Sequence, residues 1–150
     1  MHYRKSTMFT HGIVLYDEWA ALMANGKLAD QQRLAEAQEV YVVRHDTPFA
    51  VVLFSKRLWV VPDSTPRLDH FLSGLVRYRG PGRAFVVQCP EIPMRWRRLL
   101  FGVLPLWPLP ALAAHVSRTL PAWDAREVPL ERAFQGLSSK ATGLRSSCRA

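Results

Sequence analysis

Cysteine is scarce in this chain: Cys89 and Cys148 are the only two among 150 residues. Two cysteines cannot build the disulfide framework that staples small secreted domains. No CxxC, no HExxH and no other pair at coordinating spacing joins them to the five histidines, so no metal centre is expected. Phosphate-loop, dinucleotide-type and GxSxG glycine patterns are also missing, and no cofactor is expected. Residues 1–12 (MHYRKSTMFTHG) lack the apolar core of a secretory signal. The longest apolar run covers residues 99–114, and at 1.5 Å per residue it falls short of a hydrocarbon core about 30 Å thick. Pro105, Pro108 and Pro110 further interrupt any helix there. These absences lead to the expectation of a cytoplasmic protein without a spanning helix.

What is present is material for a packed domain. Apolar residues make up 49% of the chain and charged residues 21%, a balance that excludes global disorder. The length suffices to bury a core without metals or staples. The charge, by contrast, is unevenly laid out. Met1–Val76 holds eight Lys/Arg against eight Asp/Glu, while Arg77–Ala150 holds twelve against four. The second stretch therefore carries the whole formal charge of +8. Between residues 77 and 98, Arg77, Arg79, Arg83, Arg95, Arg97 and Arg98 are opposed only by Glu91. Such asymmetry is the footprint of an anionic partner, nucleic acid or lipid headgroups. A solvated arginine surface is the plainer alternative, since arginine outnumbers lysine sixteen to four.

Hydrophobic patterning divides the chain. Trp19, Leu22 and Met23 fall on one helical face, and Asn25-Gly26 reads as a helix stop. A second, mostly polar helix is expected from about Asp30 to Gln38. VYVVR (40–44), FAVVLF (49–54) and RLWVV (57–61) are β-branched and aromatic, and their linkers are too short for parallel crossovers. They predict an antiparallel meander. Thr65 is placed to cap a helix whose first residue is Pro66. Leu68, Phe71, Leu72, Leu75 and Val76 give that helix its apolar stripe, with Asp69, His70, Ser73 and Arg77 opposite. Gly80-Pro81-Gly82 then turns the chain into a further strand, AFVVQ (84–88), with positive φ expected at the glycine after proline. A short helix is expected around Ala111–Arg118. The expectation is one α+β domain over residues 1–133, followed by a mobile basic tail at 134–150. Its sheet has about four antiparallel strands: the meander, plus one added after a crossover helix. Helices pack against it.

Four stretches resemble known proteins. RGPGRAFV resembles the crown of the V3 loop of a retroviral envelope glycoprotein, over eight residues only. His45-Asp46 resembles the metal-binding dipeptide of HD phosphohydrolases, whose further ligands have no counterpart here. Val43, Arg44, Pro48, Ala50, Val51 and Ser55 resemble the hairpin of Phd/YefM-type antitoxins, which implies operator-DNA binding. Asp46 stands near that family's usual glycine. A strand at IVLY (13–16), two helices and the meander is similar in order to RelE/ParE-type toxins, without their strand motifs.

Arg95-Trp96-Arg97-Arg98 is the most chemically suggestive cluster. Arginines neutralise phosphates, and an exposed indole stacks a base for about 1–3 kcal/mol. Trp59 and Tyr78 join it if they share that face. The expected function is therefore a non-catalytic regulatory or accessory protein. It contacts nucleic acid, DNA or RNA, through Arg77, Arg79, Arg83, Arg95, Trp96, Arg97 and Arg98. A protein partner at Leu104–Pro110 is compatible with this. One alternative is an enzyme, either a metal-independent nuclease or a hydrolase using the Cys89 thiol with His45, His70 or Asp69. Another is a peripheral membrane protein held by the basic-aromatic edge and the apolar run 99–114.

Overall fold

The computed structural model describes residues 11–24, 26–45, 48–55, 57–63, 65–80, 82–92 and 110–134. Strands β1 (His11–Tyr16), β2 (Trp19–Ala24) and β3 (Lys27–Arg33) form an antiparallel sheet in that order. Strands β4 (Glu39–Arg44), β5 (Phe49–Leu53), β6 (Leu58–Pro62), β7 (Arg83–Gln88) and β8 (Ala125–Pro129) form a second sheet, ordered β6-β5-β4-β7-β8. Helix α1 (Leu68–Gly74) runs on as a wider turn, Leu75–Arg79, and links β6 to β7. Helices α2 (Pro110–Thr119) and α3 (Leu130–Ala133) flank β8 in sequence. The fold is α+β, but its larger sheet is mixed and five-stranded, where about four antiparallel strands were expected.

The first expected N-terminal helix is a strand, and the second, expected over about Asp30 to Gln38, is strand as far as Arg33 and then a single 3-10 turn, Leu34–Glu36. No helix stops at Gly26, which sits instead at φ +80 in a hairpin whose strands meet at Ala24 and Lys27; Asn25 lies outside the described residues. Asp17-Glu18 makes the hairpin loop between Tyr16 and Trp19, with Asp17 at φ +54. Ala20 and Leu22 are buried on the inner face. A register shift at Leu22/Met23 breaks the alternation that would have marked β2 as a strand. The toxin-like order of one strand, two helices and a meander therefore does not occur.

The meander forms as expected, in register Val42↔Ala50 and Val52↔Trp59. Alternation of side chains gives its sheet two buried faces. Val40, Val42, Ala50, Val52, Trp59, Val61, Ala84 and Val86 face one core, completed by α1, α3 and the inner side of the first sheet. Tyr41, Val43, Phe49, Val51, Val60 and Val87 face a second core, completed by Val116 of α2 and by Leu120. Burial on both faces explains why these strands read as unbroken apolar runs.

Helix α1 presents its expected stripe, with Leu68, Phe71, Leu72 and Leu75 buried. Its start differs from the expectation. Thr65 does not cap it: the hydroxyl is buried without a hydrogen bond, and Arg67, in the left-handed region at φ 59, leads into Leu68. At the far end the positive φ belongs to Gly80, at +86, and not to the glycine after the proline. The chain then enters β7, which pairs parallel with β4 and antiparallel with β8. The parallel pairing is possible because α1 returns the chain to the starting end of the sheet.

Trp59 ties the layers together. It is fully buried, edge-on to Phe54 at 5.0 Å between ring centroids and 5.9 Å from Phe71 of α1. Its indole N–H donates to Asp30 Oδ2 of β3 at 2.8 Å. One side chain thus joins the first sheet, the second sheet and α1.

Candidate functional site

The basic residues were the leading site candidates, and the structure separates them. Arg79 is committed to the fold. Its Nε donates to the Ala37 carbonyl at 2.6 Å and its Nη2 to the Gln38 carbonyl at 2.9 Å, fixing the end of α1 to the chain entering β4. Those are strong, charge-assisted bonds that give Arg79 a structural role and use two of its five N–H donors. Arg77 and Arg83 are exposed, and neither has an ion-pair partner among the described residues. Arg77 lies over the Tyr78 ring, 5.3 Å from its centroid. Arg83 precedes the inward-facing Ala84 on β7, so it projects from the sheet face opposite the one α1 covers. The three arginines flank one turn without forming one patch. Trp59 is buried at the centre of the fold and cannot stack a base. Arg95, Trp96, Arg97, Arg98, residues 104–109 and the tail from residue 135 lie outside the described residues.

Charge follows the same division. The described residues contain eleven Lys/Arg and eleven Asp/Glu, a net charge of zero. The remaining residues contain nine Lys/Arg and one acid, Asp46, and so hold the entire +8. Short-range compensation within the described residues includes the pairs Arg33–Glu18 at 3.6 Å and Arg57–Asp30 at 3.9 Å.

Cys89 follows β7 in a left-handed conformation, φ 49, and its N–H donates to the Arg44 carbonyl at 2.8 Å. Its sulfur is in a disulfide, so it offers no thiolate for the nucleophilic chemistry considered above. The imidazole Nδ1 of His45, just beyond β4, is buried without a hydrogen bond. Among the described residues, no three His, Cys, Asp or Glu side chains stand close enough to hold a metal. Burial raises the Tyr41 phenol above its ordinary value, helped by the nearby Glu39 carboxylate, to which the hydroxyl donates at 3.5 Å. Tyr41 stacks on Phe85 at 5.0 Å and belongs to the second core.

An open groove of about 350 Å³ lies between α1 and α3, lined by Asp69, Leu72, Ser73, Val76, Glu131 and Phe134. The sequence places Asp69 and Ser73 on the outer face of α1. It gives no sign of Glu131 and Phe134, because β8 is a polar edge strand (AREVP) and only its pairing with β7 brings α3 back over the sheet. Both carboxylates are exposed, and neither a nucleophile–base pair nor a buried charge is found there.

No protein-family model, no curated protein and no solved structure matches the chain. Among the described residues, no helix is long and apolar enough to cross a membrane.

Proposed function

We propose that the protein is a non-catalytic accessory or regulatory module whose charge-neutral α+β body carries basic segments to a nucleic acid. Arg95, Arg97 and Arg98 neutralise phosphates, Trp96 stacks on a base, and Arg77 and Arg83 add the body's own contribution. The observation that supports this is the layout of charge along the chain: residues 1–76 hold eight bases and eight acids, and residues 77–150 hold twelve bases and four acids. Arg95, Arg97 and Arg98 lie in the stretch that holds the excess charge, so affinity and its salt dependence are assigned chiefly to them. Arg79, held to two backbone carbonyls, contributes its charge from a fixed position.

The test is fluorescence anisotropy of the full chain with random-sequence single- and double-stranded DNA and RNA, run beside flotation with anionic and neutral vesicles. Nucleic-acid binding that changing Arg95, Arg97 and Arg98 together to Ala removes supports the proposal. Binding to vesicles alone assigns the same arginines and the apolar run 99–114 to a membrane interface and overturns it. A cytoplasmic setting, expected from the sequence, sits poorly with the disulfide at Cys89, since such bonds persist in oxidising compartments.

A further inference from the structure

The three-stranded sheet has one face against the core, and its other face carries exposed side chains. Among the described residues, the exposed large hydrophobic side chains are Val14 at 52%, Tyr16 at 42% and Leu28 at 57%. All three belong to the outer face of this sheet. Val14 and Tyr16 stand on β1, while Leu28 of β3 pairs with Met23 of β2, which in turn pairs with Gly12 of β1. The inner side is satisfied: Ile13 is buried, and Leu15 packs with its Cδ1 3.0 Å from where a Cβ on Gly74 would stand. Among the described residues, the outer side is therefore the one left without a partner.

The sheet edges differ in how they are guarded. Edge strands that resist pairing carry charge or proline. β3 carries Lys27, Asp30 and Arg33, β8 carries Arg126, Glu127 and Pro129, and β6 ends in Pro62. β1, HGIVLY, has neither an acidic, a lysine or arginine, nor a proline residue, and among the described residues it pairs on one side only.

We infer that β1 is a homodimerisation edge, pairing antiparallel with β1 of a second copy across a two-fold axis. Two features favour a second copy of this chain over another partner. First, self-pairing sets identical strands against each other, and β1 brings no like charges into opposition. Second, the strand is complementary to itself. Keeping both outer faces on one side of the joined sheet requires same-face residues to oppose one another, and of the two central registers that do so the one we infer sets Val14 against Val14. Tyr16 of each copy then lies over Gly12 of the other. A Cβ on Gly12 would meet nothing within 4 Å, so there is space above that glycine for a ring. Two three-stranded sheets become one of six. A six-residue edge spans about 20 Å, which marks the dimer as modest and concentration-dependent.

Sedimentation velocity of the full chain, with reductant present, tests this over about a hundredfold range of concentration. Wild type climbs from 17.1 kDa towards twice that mass. Val14→Lys sets two ammonium groups against each other across the axis and leaves a monomer. Tyr16→Ala weakens the dimer at least about tenfold by uncovering Gly12. Leu28→Lys, on the same face but the opposite edge, leaves the dimer intact. Circular dichroism checks that each variant folds, and Tyr16→Ala carries the test should Val14→Lys not. A wild type that stays monomeric throughout overturns the inference, and so does a dimer broken by Leu28→Lys but not by Val14→Lys.

Discussion

Changing Asp30 to Ala tests whether one buried hydrogen bond joins the two sheets. Asp30 Oδ2 accepts from the Trp59 indole at 2.8 Å and from the Gln32 amide at 3.1 Å, and Oδ1 lies 3.9 Å from Arg57 Nε. The Arg57 pair counts for little, because its side chain is 59% exposed and such pairs contribute roughly 0–1 kcal/mol. Water can replace the carboxylate at Gln32, which is partly exposed. The Trp59 indole is fully buried, so Asp30→Ala strands a buried donor and removes a charge-assisted bond, at a cost of about 2–3 kcal/mol. With a urea slope near 2 kcal/mol/M, the unfolding midpoint falls by roughly 1–1.5 M. Asp30→Asn keeps an acceptor oxygen and costs about 1 kcal/mol. The decisive arm is a double-mutant cycle with Trp59→Phe, which removes the donor. In that background Asp30→Ala costs no more than about 1 kcal/mol, leaving a coupling of about 1.5 kcal/mol. Urea unfolding followed by circular dichroism gives all four values. If Asp30→Ala stays within about 0.5 kcal/mol of wild type, or the two changes simply add, the bond is not what joins the sheets.

Other residues give sharper divisions of role. Arg79→Ala loses two bonds to backbone carbonyls and destabilises by about 2–3 kcal/mol, whereas Arg77→Ala and Arg83→Ala stay within about 0.5 kcal/mol; thermal melts that rank all three alike contradict this. The raised Tyr41 phenol leaves stability intact below its ordinary value near 10, then erodes it as pH rises through the higher folded value, because only the unfolded chain ionises freely. Tyr41→Phe should flatten that alkaline slope in urea titrations, and an unchanged slope would trace it to another group. Iodoacetamide should leave Cys89 unlabelled until a reductant is added, as peptide mass mapping reads directly. Labelling without reductant would show a free thiol there.

Some of this architecture is visible in local sequence and some is not. The meander is legible because its β-branched runs are joined by linkers too short for anything but hairpins. Helix α1 is legible because five apolar residues fall at helical spacing. The first sheet is not, since Trp19, Leu22 and Met23 match a helical face as well as they match two sides of a bulged strand. Asn25-Gly26 is a signal shared by hairpins and helix ends, and the short, alanine-rich β2 does not decide between them. The parallel pairing of β4 with β7 rests on contacts more than forty residues apart, between Tyr41 and Phe85 for example, which no local pattern carries. Polar β8 hides for the same reason, and with it Glu131 and Phe134 of the groove. Nothing in RYRGPGR distinguishes Arg79 from Arg77 or Arg83; only the fold sets it beneath two carbonyls.

The central claim is that the basic segment at residues 95–98, more than Arg77 and Arg83, meets the nucleic acid. The most direct measurement is the salt dependence of binding between about 50 and 200 mM, for wild type, for Arg95, Arg97 and Arg98 all changed to Ala, and for Arg77 and Arg83 both changed to Ala. Losing three phosphate contacts should flatten the slope of log K against log salt by about 2.7 on duplex DNA, or about 2.1 on single strands. The Arg77/Arg83 variant should change it by less than the triple variant does. A wild type that fails to bind at low salt, or a triple variant with an unchanged slope, would contradict the account.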